Sequence, residues 1–333
     1  MPFFTPLSIV SIGSIPFVKG KNACEEIFKN WDIPFWPQYP GRSLRENFVF
    51  QFLSHFPGLD VSPSAASFNE SEYRRKEKKY REKLKRALLN HETVLNFEPP
   101  SDWALGYSQM KKLLSRKTSS KRKIIKLQVT GPGTVWNSFF KKRVSRSLSP
   151  KVEKTLTMSL IARGLAQIHR VLSHQKTPLI FIDEPMRAEN LSGLKKMVAT
   201  FKKSGAVVGL HVCSNPDWRD FSGLNLDLFH FDSTAHDKFT EAQCRFIRHH
   251  LKKRKWIAWG AVSTLERNKN SREKLLKLID QTADSCLNWK GILNRSLLAP
   301  ACGTGGLKPE QDRAIFEDLR ILAKELRMQG KKI

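Results

Sequence analysis

The chain has 333 residues, of which 58 are Lys or Arg and 31 are Asp or Glu, so its formal net charge at pH 7 is +27. A hydrophobic fraction of 40% is sufficient for a large core, and no apolar run reaches the length of a membrane span. Five scattered cysteines argue against a disulfide framework and favour a reducing compartment. The apolar N-terminus lacks a basic stretch and contains prolines, so we interpret it as a strand and not as a signal peptide. These features predict a soluble, cytoplasmic protein.

Short β-rich runs recur along the chain, and most of them are separated by helical patterns such as residues 151–174 and 191–203. The runs cover residues 8–14, 33–38, 124–132, 179–185, 206–213, 226–232, 256–262 and 296–302. Strands that alternate with helices indicate a parallel sheet, and eight such units predict a closed barrel. We therefore expect an α/β protein in which residues 1–333 form a single (β/α)8 TIM barrel.

A long excursion separates the second and third predicted strands. It contains a charged helical pattern for which Asn69, with Glu72 three residues later, is the predicted N-terminal cap. We interpret its part from about 60 to 123 as a helical, basic insertion into the barrel and not as a second domain.

Much of the positive charge lies in this insertion. Residues 70–86 hold nine Lys or Arg against four Glu, and residues 111–126 hold eight Lys or Arg and no acid. Such a field attracts nucleic acid, anionic lipid or a polyanionic substrate. Because no aromatic or glycine-rich RNA-binding signature interleaves the charges, we favour a solvated surface over a nucleic-acid interface.

Polar and reactive side chains fall at the C-terminal ends of the predicted strands, which is where such barrels hold their chemistry. Seven of the eight strands end in such residues: Ser14, Gln38, Thr130, Asp183 with Glu184, His211 with Cys213, Asp232, and Cys302.

The spacing of His211 and Cys213 points to a metal. Side chains at i and i+2 of a strand lie on one face, and neutral imidazole and thiolate are both favoured zinc ligands. Cys302, at the same rim, completes a set of three ligands with an open fourth position, which is the pattern of a catalytic zinc. Asp232 is either the fourth ligand or an outer partner of His211. The alternative is that these are buried cysteines and a hydrogen-bonded histidine, but their joint placement at one rim favours zinc.

Several motifs together resemble cobalamin-independent methionine synthase, and more closely the short single-barrel proteins related to its catalytic half. These proteins share a barrel superfamily with uroporphyrinogen decarboxylase. The motifs are IGS, IPFWPQYP, QVTGPGT, FIDEP, GLHVCSNPDW, HFD, IAWGAVST and SLLAPACG. The resemblance covers nearly the whole chain in matching order, except the segment from about 60 to 123.

The resemblance implies a zinc-dependent methyltransferase that transfers a methyl group to a zinc-bound thiol such as homocysteine. His211, Cys213 and Cys302 match the zinc ligands, and Asp232 stands where the family enzyme has a longer acid, Glu. Asp183 matches a carboxylate that holds the substrate amine, and Ser14 matches a residue that contacts the same substrate.

Two further residues complete the predicted site. Glu184 accompanies Asp183, and both are predicted to be catalytic residues; the alternative for both acids is that they cap the following turn. Thr130, with the turn Gly131-Pro132-Gly133, is predicted to shape the side from which the methyl donor approaches.

Departures from the family pattern leave the substrates open. Arg42 stands where the full enzyme has a glutamate that contacts homocysteine, and the family's Asp-x-His-Ser motif is replaced by WGAVST. Methyl-folate and methylcobalamin, the latter delivered by a corrinoid protein, are both candidate donors. The alternative functions are a decarboxylase-like member of the superfamily and a non-catalytic binding protein whose basic segment contacts nucleic acid.

Overall fold

A computed structural model of the protein describes residues 4–20, 22–116, 123–186, 191–214, 217–265 and 271–330. Its strands are β1 (Leu59–Val61), β2 (Ala66–Phe68), β3 (Ile124–Thr130), β4 (Thr177–Asp183), β5 (Val207–Val212), β6 (Leu228–Asp232), β7 (Trp256–Val262) and β8 (Ser296–Pro300). Its helices are α1 (Ala23–Asn30), α2 (Glu70–Leu89), α3 (His91–Val94), α4 (Leu105–Leu114), α5 (Pro132–Val135), α6 (Ser149–Leu172), α7 (Ser192–Lys203), α8 (Glu241–Lys252), α9 (Ser271–Thr282), α10 (Trp289–Leu293) and α11 (Pro309–Gly330).

Six parallel strands, β3 to β8, form the main sheet in the order in which they follow one another along the chain. Each pairs with the next in parallel register. α-Helices occupy every connection except that between β5 and β6, which contains a short 3-10 helix at Trp218–Phe221. The third to eighth predicted strands therefore correspond to real strands. The result is a mixed α/β fold built on a six-stranded parallel half-barrel.

The predicted closed eight-stranded (β/α)8 barrel is wrong, because the first two predicted strands do not form. Residues 8–14 and 33–38 meet their neighbours through isolated bridges only: Ile9 with Leu298, Ser14 with Gln38, and Phe35 with Lys126. Pro34 and Pro37 have no N–H to contribute to a ladder, and Gly13 turns the first segment with a φ of +134°. Two irregular segments therefore lie between β8 and β3 where two strands were expected.

The insertion before β3 is helical, as predicted, and it also contains the antiparallel pair β1–β2. The side chain of Asn69 accepts a hydrogen bond from the Glu72 backbone N–H at 2.9 Å, which confirms the predicted cap of α2. Helix α2 buries Tyr73, Tyr80 and Leu84, and its Lys and Arg side chains face outward. Residues 117–122 of the second basic run lie outside the described residues.

The core has two parts, one on each face of the sheet. The larger part fills the space between the strands and the surrounding helices. The smaller part lines the concave face and includes Leu179, Phe181, Leu228 and Trp256. In the part of the chain that the structure describes, no helix combines the length and the apolar character needed to cross a membrane.

Candidate metal centre

The concave face of the half-barrel changes from apolar to polar towards the carboxyl ends of its strands. Alternate residues of a strand share a face, so Asp183 follows Phe181 and His230 follows Leu228 on the concave side. Asp183 is in register with His211, and His211 is in register with His230. Three neighbouring strands thus bring three titratable side chains to one end of the sheet.

Three predicted ligands meet at this end. The ligand atoms of His211, Cys213 and Cys302 all lie within 4.8 Å of one another, and the two Sγ atoms are 3.6 Å apart. His211 is 2% exposed, and the two cysteines, which follow the ends of β5 and β8, are half-buried. Asn215 and Pro216, of the motif that follows Cys213, lie outside the described residues. This group can hold a metal ion.

The two thiols are electrostatically coupled. The hydrogen bond between them lowers the pKa of Cys302 well below the usual range of a thiol, and His211 lowers it further. The same hydrogen bond, together with burial, raises the pKa of Cys213. In the metal-free protein the two thiols therefore share one proton and one negative charge. A bound metal would displace that proton, because thiolates are the ligating form.

His211 has a partner on its far side that the sequence analysis did not single out. Its Nδ1 lies 2.7 Å from Nδ1 of His230, which is completely buried. The Nε2 of His230 lies 3.1 Å from the carbonyl oxygen of Pro300, at the end of β8. Burial lowers the pKa of His230 well below its usual value, and the neighbouring His211 adds to the effect. His230 is therefore neutral.

Asp183 lies beside the metal group and has a free acceptor. Its side chain is 5% exposed, and its Oδ1 has no hydrogen-bond partner among the described residues. Burial raises the pKa of Asp183 to about 6, while Lys126 and His211 oppose that rise. A buried carboxylate oxygen without a donor is costly, so this atom is suited to a cationic group brought by a ligand.

Lys126, a second residue that the sequence analysis missed, lies completely buried on the concave face. Its Nζ donates to the carbonyl oxygen of Ile12 and to Oε1 of Gln128, and it lies 4.9 Å from the ring centre of Phe181. Burial lowers the pKa of Lys126 to about 7, and Asp183 opposes that change. Its positive charge offsets the negative charge of Asp183 within the same dry interior.

Glu184 points to a different part of the fold from Asp183. Its carboxylate accepts hydrogen bonds from Thr134 Oγ1 at 2.5 Å and from the Gly133 backbone N–H at 3.2 Å. A Cβ on Gly131 would lie 2.0 Å from Glu184 Oε2, so the turn after β3 closes tightly around this acid. Burial raises the pKa of Glu184 to about 7. Glu184 therefore caps the turn, which was the alternative role.

Thr130 and Asp232 also make local contacts away from the metal group. Thr130 Oγ1 donates to the carbonyl oxygen of Phe48. Asp232 Oδ1 accepts hydrogen bonds from Thr234 N at 2.8 Å and Thr234 Oγ1 at 2.7 Å, and it is not part of the ligand cluster. Asp232 thus holds the turn after β6 in this structure.

Ser14 connects the N-terminal segment to the loop that carries Cys302. Its carbonyl oxygen accepts from the Thr304 N–H at 3.0 Å, and its Oγ lies 3.4 Å from the Gly305 N–H. A Cβ on Gly303 would come within 2.0 Å of Ser14 Oγ. Ser14 therefore lies at the same rim as the metal group, as predicted.

Arg42, which departs from the family pattern, makes an ion pair. It contacts Glu46 at 2.5 Å, and Glu46 is completely buried. This pair also ties the segment after the second N-terminal run to α4, since Glu46 accepts from the Leu105 N–H at 3.2 Å.

The chain matches no protein-family model, and no curated protein matches it. The resemblance to methionine synthase therefore stays a prediction, and the chemistry of the site carries the functional argument.

Proposed function

We propose that this protein is a zinc-dependent methyltransferase that moves a methyl group from a methyl donor to the sulfur of a small amino-thiol such as homocysteine. The observation that carries the proposal is the convergence of one imidazole and two thiols beside Asp183, a buried carboxylate with a free acceptor. The first feature suits a soft metal, and the second suits the ammonium group of an amino acid.

The donor set fits zinc. Two thiolate sulfurs, each about 2.3 Å from one tetrahedral zinc, lie about 3.8 Å apart. The Sγ atoms of Cys213 and Cys302 are 3.6 Å apart. His211 contributes its nitrogen to the same cluster. Three protein ligands leave a tetrahedral position for a substrate, which distinguishes a catalytic site from a four-ligand structural site.

The metal and the protein side chains have different roles in the proposed reaction. When bound, zinc supplies a Lewis acid that keeps a coordinated thiol ionised at neutral pH, whereas a free thiol has a pKa near ~8.5. Cys213 and Cys302 add negative charge that keeps the substrate sulfur electron-rich. Asp183 accepts a charge-assisted hydrogen bond from the substrate ammonium group, and Ser14 forms a hydrogen bond to the same substrate.

The methyl donor approaches from the open side of the half-barrel. The bond between the methyl carbon and the substrate sulfur forms as the bond between that carbon and the donor breaks. The electron pair of the broken bond stays on the donor: on cobalt in methylcobalamin, or on the nitrogen of methyl-folate, which takes up one proton, equal to the one that the thiol released. The candidate donors are methyl-folate and methylcobalamin, the latter free or held by a corrinoid protein.

Zinc K-edge X-ray absorption with and without homocysteine tests the proposal. The purified protein should carry about one zinc per chain, and the zinc shell should gain one sulfur when homocysteine is added. Methionine, which has no thiol, is the matched control and should leave the shell unchanged.

The metal assignment has its own control. Cys213→Ser or Cys302→Ser should lose the zinc, whereas Cys244→Ser, at a buried cysteine of α8 outside the cluster, should keep it. If zinc is bound but no thiol changes its shell, the metal is structural and the protein is a non-catalytic member of this fold.

A further inference from the structure

His230 contacts the proposed metal ligand His211 and the end of the strand that leads to Cys302. Its Nδ1 lies 2.7 Å from Nδ1 of His211, and its Nε2 lies 3.1 Å from the carbonyl oxygen of Pro300. Pro300 ends β8, two residues before Cys302. A single buried side chain thus joins β5 and β8, the strands that precede the ligands Cys213 and Cys302.

His211, His230 and the Pro300 carbonyl form a series of hydrogen bonds, and the carbonyl at its end decides which nitrogen atoms carry hydrogen. A carbonyl oxygen only accepts, so the Nε2 of His230 must carry a hydrogen in order to bond Pro300. The Nδ1 of neutral His230 then has a lone pair and accepts a hydrogen from Nδ1 of His211. Nε2 is then the ring nitrogen of His211 that faces the cysteines and can bind a metal.

We infer that His230 is a positioning residue for the metal centre, one that holds His211 in the tautomer and orientation that present Nε2 to the metal. The inference rests on the metal-binding part of the proposed function. Histidine ligands commonly donate their second N–H to a carboxylate or a backbone carbonyl, and loss of that partner typically lowers metal affinity about 10–100-fold. Here the partner is a second neutral imidazole, so the thiolates are the anionic groups of the cluster.

Zinc affinity of His230 variants, measured by competition with a chromogenic chelator, tests this role. His230→Ala should bind zinc about 10–100-fold more weakly than the natural protein. His230→Asn should recover much of that loss, because the Asn Oδ1 can occupy the place of Nδ1 and accept from His211. His250→Asn, at another buried histidine that lies on α8, is the control and should bind zinc normally.

Nitrogen-15 NMR of the metal-free, histidine-labelled protein gives a readout that does not need zinc. Nδ1 of His211 should be protonated and should show a scalar coupling to Nδ1 of His230 across their hydrogen bond. In His230→Ala the protonation of Nδ1 should be incomplete, and in His230→Asn it should persist. Denaturant unfolding of each metal-free variant reports whether the fold is intact.

The outcomes separate this inference from the proposed function. Unchanged zinc affinity in folded His230→Ala, equal losses in the Ala and Asn variants, or the opposite tautomer of His211 would each overturn the role of His230. Failure of the natural protein to bind zinc would instead refute the proposed function, and the tautomer measurement would still decide the arrangement of the two histidines.

Discussion

Asp183 is the residue on which substrate recognition depends in the proposed reaction. Its Oδ1 is buried without a donor, so a substrate ammonium group would satisfy an atom that the fold leaves open. Asp183→Asn preserves size and removes charge. Because a hydrogen bond to a charged group is worth roughly 1.5–3 kcal/mol, the variant should bind homocysteine about one to two orders of magnitude more weakly. Calorimetric titration of the zinc-loaded protein measures the change, and zinc content should be unaffected.

A thiol without the amine separates recognition from a general disturbance of the site. The compound 4-mercaptobutanoate is homocysteine without its amino group, and Asp183→Asn should not weaken its binding. Equal losses for both thiols would show that Asp183 supports the site without contacting the amine.

The cluster of candidate metal ligands could be predicted from the sequence because it depends on local rules. His211 and Cys213 share a face through strand alternation, and Cys302 follows the end of another parallel strand, so the three gather at one rim once the strands are known. His230 and Lys126 were missed because they lie within strands, where apolar residues are expected. Their roles depend on which side chains face them across the sheet, and spacing along the chain does not contain that information.

Acidic residues illustrate the same limit. Asp183 and Glu184 are consecutive, yet one lies beside the metal group and the other caps the turn of α5. Consecutive residues at the end of a strand point to opposite sides, so the two acids meet different surroundings although we predicted them as members of one site. Asp232 ends a strand as predicted, but its Oδ1 accepts a hydrogen bond from Thr234 Oγ1. The sequence pattern did not reveal this contact.

The position of α4 against the N-terminal segment depends on Gly106. A Cβ at Gly106 would lie 2.0 Å from the carbonyl oxygen of Pro37, the residue before Gln38, which pairs with Ser14. Replacement of Gly by Ala within a helix normally stabilises it by about 0.5–1 kcal/mol. Here Gly106→Ala should destabilise the protein by about 1–3 kcal/mol, because the Pro37 backbone must move.

Urea unfolding measures this change in the free energy of unfolding. Gly223→Ala is the control, since a Cβ there meets no atom within 4 Å. A Gly106→Ala variant as stable as the natural protein would mean that α4 does not pack against Pro37.

Glu184, which follows β4 and caps the turn of α5, makes the free energy of unfolding depend on pH. The folded-state pKa of Glu184 is about 7, against its usual 4.5. Between these values the folded protein keeps a proton that the unfolded chain has lost, so the free energy of unfolding falls as pH rises. Above pH 7 the ionised, buried Glu184 lowers the free energy of unfolding by the full amount, about 3 kcal/mol. Below pH 4.5 this loss of stability is absent.

Glu184→Gln removes this penalty and keeps an acceptor for Thr134. The stability of the variant relative to the natural protein should therefore rise between pH 4.5 and 7, by up to about 3 kcal/mol. Urea unfolding of the metal-free proteins at several pH values measures the difference, in which the other titrating groups cancel. For Glu82→Gln the difference should be constant between about pH 4.5 and 7 and should change in the opposite direction only below about pH 4.5, because Lys85 lowers the pKa of Glu82. A constant difference for Glu184→Gln would contradict the buried, protonated carboxyl.

At the scale of the whole molecule, periodicity predicted six strands and overpredicted two. The six that form are long apolar runs that bury both faces, and their boundaries differ from the predictions by only a few residues. The two predicted strands that do not form contain Pro34, Pro37 and Gly13. These residues do not alter the hydrophobic pattern, but they disfavour the backbone pairing that a strand requires. Counting alternating units therefore overestimated how far the sheet closes.

The distribution of charge in α2 supports a solvated surface. Several of its cations are paired along the helix, Arg74 with Glu70, Lys76 with Glu72, and Arg81 with Glu77. Among the described residues, Lys78, Lys79 and Lys83 are exposed and form no ion pair. A surface of this kind attracts polyanions over a Debye length of about 8 Å at physiological ionic strength, without specifying a partner.

Replacing Lys78, Lys79 and Lys83 together by Gln tests whether this surface has a specific role. Surface substitutions usually change stability by no more than about 0.5 kcal/mol, so the free energy of unfolding, the zinc content and methyl transfer should all be retained. Any binding of the natural protein to a labelled single-stranded RNA should be weak and should fall steeply between 50 and 200 mM salt, since it arises from counterion release. Fluorescence anisotropy across that salt range measures it. Tight RNA binding that persists at 200 mM salt and is lost in the triple variant would establish a nucleic-acid interface on α2, and the interpretation of this helix as a solvated surface would then be wrong.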